Sequence, residues 1–244
     1  MPTVKLSRKK ERRFRSYLSY FASSFSTTEV INILVAWAVL SFAFSFVLDG
    51  GKLTRAFPLT FGASAIVLGC GFIMHELMHK FSAQKYGYPA EFRLWPMGII
   101  LALITSLFGF IFAAPGATYF EPDSREQFLD HRGFTTRYGI ISLAGPKINL
   151  FFGFLFFFLF LGYSHFFPYN GSVFSAFVYL VTVLGTYINF YLCAFNMLPI
   201  GGGIMALDGL KVWRWNRAYW ALFFLVSAAM SVISFLYVLP SIGF

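Results

Sequence analysis

The chain has 244 residues, of which 58% are hydrophobic and 12% charged. Soluble domains carry about 25% charged residues, so this composition excludes an ordinary water-soluble fold and points to the membrane. The net charge is +9, but seven basic residues (Lys5, Arg8, Lys9, Lys10, Arg12, Arg13 and Arg15) crowd a short stretch before an apolar run. That is the pattern of a topology signal held in the cytoplasm beside anionic lipid, not of a nucleic-acid arm.

In chain order, residues 1–28 read as that basic tail and residues 29–244 as one membrane-embedded domain. A spanning helix needs about 20 apolar residues. Five stretches supply them: 30–48, 59–79, 139–161, 173–195 and 219–239. The first is followed by "FVLDGG", a poor cleavage site, so it reads as a retained span rather than a signal peptide. Cys70 and Cys193 sit inside apolar stretches, which predicts packed free thiols and no disulfide framework.

A sixth apolar stretch, "MGIILALITSLFGFIFAA" at 97–114, would also pass as a span. The basic residues decide against it. If 97–114 turns back, the cytoplasmic segments hold 16 Lys or Arg, with only Lys52 and Arg55 outside and Lys147 within a span. If it crosses, the split falls to 10 against 8, contrary to the positive-inside rule. Gly98, Gly109 and the flanking Pro96 and Pro115 also suit a broken element. The predicted fold is an all-α polytopic membrane protein with five to six transmembrane helices and a re-entrant hairpin after the second span.

The second span ends in "HELMH", which places His75 and His79 one helical turn apart on one face, a spacing that suits Zn2+. Glu76 is then placed to take a proton from the attacking water. Charged groups in hydrocarbon cost about 2.5–3.5 kcal/mol each on insertion scales, so an idle cluster here is disfavoured. A catalytic zinc needs a third protein ligand. The soluble zincin pattern would place a third His about six residues on, but position 85 is Lys and no His follows before His131. Glu91, Glu121 and Glu126 lie in polar loops, whereas Asp208, in "GIMALDGLKVWRWN", is the only acid in the last 114 residues. An Asp-Gly turn would also account for it; beside an unfinished zinc site, the ligand reading is favoured. A re-entrant 97–114 brings Asp208 to the side of His75 and His79, while a crossing leaves it roughly 30 Å away.

"HELMH", "GPKIN" at 145–149, "NMLP" at 196–199 and "LDG" at 207–209 together resemble the site-2 protease family of intramembrane zinc metalloproteases, archaeal members especially, over about residues 59–217. The resemblance implies a three-span catalytic core and one Zn2+ per chain, with Asp208 as the third ligand. It also implies that Asn149 or Asn196 lies near the substrate or its oxyanion, and that an edge of the hairpin captures an extended substrate segment by strand addition. This chain departs from the family in two places. Twelve positions, through "IGGGIMA", separate Asn196 from Asp208 where about eight are usual, and Lys147 replaces a small or apolar residue. The expected function is hydrolysis of peptide bonds within or near transmembrane segments of a membrane-protein substrate, in the bilayer, with the active site towards the cytoplasm. The rival readings are a membrane zinc hydrolase of a non-peptide substrate and a non-catalytic metal-binding protein or transporter. Glu76 speaks for an enzyme, since a passive site needs no carboxylate outside its ligand set.

Overall fold

Side chains at the ends of the apolar runs set where the helices start. Ser26 accepts from the Glu29 N–H, Ser172 from Ser175 and Asn216 from Ala218 and Tyr219, each satisfying a donor that a helix start leaves open. The computed structural model describes residues 24–111, 115–121, 129–167, 171–201 and 207–242; nearly all of the basic tail lies outside them. The first helix, α1, runs Thr27–Leu48. The second apolar stretch forms α2 (Phe57–Leu68), a π-helical turn (Gly69–Ile73) and α3 (Met74–Lys85). Then come β1 (Ala90–Leu94), α4 (Pro96–Ser106) and β2 (Gly116–Phe120). The chain continues with α5 (His131–Phe166), α6 (Val173–Asn196), α7 (Asp208–Trp215) and α8 (Arg217–Ile233).

Among the described residues, five helical runs are long and apolar enough to cross a membrane: Thr27–Leu48, Phe57–Lys85, His131–Phe166, Val173–Asn196 and Arg217–Ser241. They correspond to the five spans expected from sequence, and the molecule is an all-α, multi-pass membrane protein. The sixth stretch behaves differently. Helix α4 has 11 residues, about 16 Å of rise against a hydrocarbon core of about 30 Å. β1 and β2 pair antiparallel, with Leu94 opposite Gly116 and Trp95 N–H bonded to the Pro115 carbonyl at 2.8 Å. The segment between them therefore starts and finishes at the same place, as a re-entrant element must.

Helices α5 and α6 pack at close range through reciprocal small-to-large contacts. A Cβ at Gly153 would overlap the Phe190 ring, and one at Gly185 the Phe156 ring; small residues at helix contacts let backbones approach in this way. Leu143, Cys193, Met197 and Val212 form a buried cluster with Trp215 and Trp220 against it, which fixes α7 against α5, α6 and α8. Gly209 lies so close to the Met197 carbonyl that no side chain fits there, and Trp220 Nε1–H donates to that same carbonyl at 2.7 Å. Cys70 and Cys193 are free.

Candidate metal centre

The HELMH segment opens α3 directly after the π-helical turn, a distortion that recurs at functional sites. His75 and His79 point from one face of α3 towards α5, and both are buried. His79 Nδ1 lies 2.8 Å from the Ile141 carbonyl, and His75 Nδ1 meets the Asn149 side-chain oxygen. The Asn149 amide donates to the Gly71 carbonyl at 2.7 Å, which can only accept; its oxygen must therefore face His75. Each Nδ1 is opposite an acceptor and must carry the proton, leaving each Nε2 with a lone pair.

Those two lone pairs converge with a third. The Nε2 atoms lie 3.0 Å apart, and Asp208 Oδ2 stands 3.4 Å from His75 Nε2 and 3.0 Å from His79 Nε2. The three ligand atoms all lie within 4.8 Å of one another. In the neutral tautomers that these Nδ1 contacts select, the triangle has no proton to share, and a cation is what would relieve its repulsion. Tetrahedral zinc with bonds of about 2.0–2.1 Å separates its donors by roughly 3.3–3.4 Å, close to the spacing here. Two nitrogens and one carboxylate oxygen also match a zinc donor set with a fourth position left for water. The residues fit the ion.

Asp208 reaches the site because it opens α7, where a carboxylate is favoured by the N-terminal dipole. Burial acts against its charge, and the Lys211 ammonium one turn along α7 favours it. The second oxygen, Oδ1, lies 3.6 Å from Lys211 Nζ, so Oδ2 is the one offered to the histidines. Gly145, in "GPKIN", lies against both rings: a Cβ there would overlap the Nε2 atoms of His79 and His75. A small residue at this point is therefore a condition for the site.

Glu76 is half-buried and stands outside the triangle; its Oε2 accepts the Thr118 N–H of β2 at 2.7 Å. The two asparagines part company. Asn149 is fully buried, and its amide donates to both the Gly71 carbonyl and Asn189 Oδ1 (3.3 Å), so no N–H remains for an oxyanion. Asn196 donates one N–H to the Leu192 carbonyl of its own helix. Lys147 is exposed on α5.

With this geometry in view, one relative is informative. A protein of Methanocaldococcus jannaschii named "Putative zinc metalloprotease MJ0611" is 38% identical over 199 residues, covering 81% of this chain and 90% of its own length. The chain belongs to this zinc metalloprotease family. No protein-family model matches the chain, and no solved structure matches it.

In a metalloprotease the supporting contacts matter nearly as much as the ligands, because they fix tautomer and ring orientation. Several of these escaped sequence reading. Asn189 is fully buried, carries Asn149 and donates to the Gly185 carbonyl at 2.9 Å; a lone Asn inside an apolar span was its only signal. Backbone partners such as the Ile141 carbonyl and the Thr118 N–H leave no trace in residue identity at all.

Proposed function

We propose that this metalloprotease is an intramembrane enzyme of the site-2 type, hydrolysing peptide bonds within or near the transmembrane segments of membrane-protein substrates. The observation that carries the reading is the convergence of His75, His79 and Asp208 lone pairs, with a carboxylate that is not a ligand beside them, in a chain of five membrane-spanning helices. His75, His79 and Asp208 would hold Zn2+, which when bound acidifies water and polarises the scissile carbonyl. Glu76 accepts the proton of the attacking water and passes it to the leaving nitrogen. Asn149 acts through His75, holding its ring by Nδ1. Asn196, which has a second N–H to offer, is the remaining candidate for the oxyanion. By the positive-inside rule the N-terminus and the site face the cytoplasm.

A helical substrate shields its own amides, so the scissile segment must be extended when it reaches the site. The hairpin beside α3 supports such a segment through strand addition. Its outer edges are not equivalent. On β1, the outward Phe92 N–H is bonded to Glu29, which is buried with Lys80; on β2, the outward Thr118 N–H faces the site. We assign capture of the substrate to β2.

The test is zinc analysis of the purified protein together with cleavage of a model transmembrane substrate. Glu76→Gln should keep zinc and lose cleavage, and Asp208→Ala should lose both. Full activity in Glu76→Gln would sink the protease reading. Undiminished zinc in Asp208→Ala would sink the third-ligand assignment. Cysteine labelling near residue 212 should report the cytoplasmic side, and an external signal would overturn the orientation.

A further inference from the structure

Three observations about Glu76 belong together. First, its Oε2 accepts from the Thr118 backbone N–H at 2.7 Å, while the Thr118 hydroxyl donates to the Glu76 carbonyl at 3.0 Å. Second, Phe92 and Thr118 face each other in the register, yet the N–H of each turns outward to a carboxylate. They form a non-hydrogen-bonded pair of the antiparallel ladder, so Thr118 presents its N–H on the open edge of β2. Among the described residues the sheet has only these two strands. Third, Glu76 is half-buried with one oxygen engaged among the described contacts, whereas Glu29 on the other edge is fully buried, with Lys80 and Phe92 on its two oxygens.

The proposed base and a strand arriving on β2 thus compete for one donor. We propose that Thr118 is a positioning residue that latches Glu76 in the resting enzyme, and that an extended substrate segment takes over its N–H and frees the carboxylate. This rests on the proteolytic reading above and adds how the base is held until a substrate is aligned. The exchange is nearly balanced, because one N–H···O bond replaces another, charge-assisted on the Glu76 side. The remaining strand pairs supply the difference. A segment too short or too helical to pair along β2 leaves Glu76 where it is.

The test reads the Thr118 amide directly, in zinc-loaded protein labelled with 15N-threonine. In the wild type this amide should be strongly protected from exchange. Glu76→Ala should speed its exchange at least tenfold, while Glu76→Gln, which keeps an acceptor in place, should preserve protection. Adding a model transmembrane peptide with a helix-breaking segment to the cleavage-dead Glu76→Ala protein should restore protection, as the peptide strand occupies the donor. No change between wild type and Glu76→Ala, or no recovery on adding peptide, overturns the latch. The two readings fail separately. If the wild type does not cleave the peptide, the proteolytic reading falls; if it cleaves while the Thr118 amide stays unresponsive, only the latch falls.

Discussion

Glu29 and Glu76 occupy matching places on opposite edges of one two-stranded sheet, each accepting an outward backbone N–H. What surrounds them differs. Glu29 is 1% exposed and paired with the equally buried Lys80, which also donates to the Ser24 carbonyl at 2.7 Å and sits 3.9 Å over the Phe25 ring. Every polar atom of that group is spoken for, and it ties α1 to α3 and β1. Among the described residues Glu76 has no counter-charge and keeps one oxygen unengaged, and it stands beside the triangle of His75, His79 and Asp208. A carboxylate whose partners are complete holds a fold together. One left incomplete beside metal ligands can do chemistry.

The same carboxylate-to-amide change at both positions puts the contrast at risk. Glu76→Gln should lower kcat by about 10²–10⁴, the usual worth of a general base, with zinc content and Tm unchanged. Glu29→Gln should instead cost about 3–5 kcal/mol of stability, because Lys80 is left buried without its counter-charge, while cleavage by the surviving folded fraction persists. Thermal unfolding beside turnover per zinc separates the two. A Glu29→Gln protein that is fully stable but inactive would reverse the roles. Replacing the pair together, Glu29→Leu with Lys80→Met, sharpens the point: a structural pair exchanged for apolar residues should recover most of that stability. The smallest effect concerns the ring support. Asn149→Leu should weaken zinc binding about 10–100-fold, the range for second partners of metal-bound histidines, and raise the zinc needed for half-maximal activity. Unaltered zinc affinity would return Asn149 to the substrate side of the site.

The amino-acid sequence by itself determined the membrane class and the five spans, because apolar length is a one-dimensional property that the bilayer reads directly. It also determined that His75 and His79 share a face, since residues four apart on a helix stand one above the other. The charge split was enough to predict that 97–114 returns to its starting side. Only the tertiary structure decided how it does so, through β1 and β2 pairing around a short α4. Only the tertiary structure brought Asp208 to within 3.0 Å of His79. It also turned Asn149 from an expected oxyanion donor into the support of His75, and placed Thr118 on Glu76. The physical reason is common to all three. These contacts join residues 42 to 129 positions apart, and two of them use backbone N–H or C=O groups that every residue carries, so their partners are chosen by packing and not by residue type.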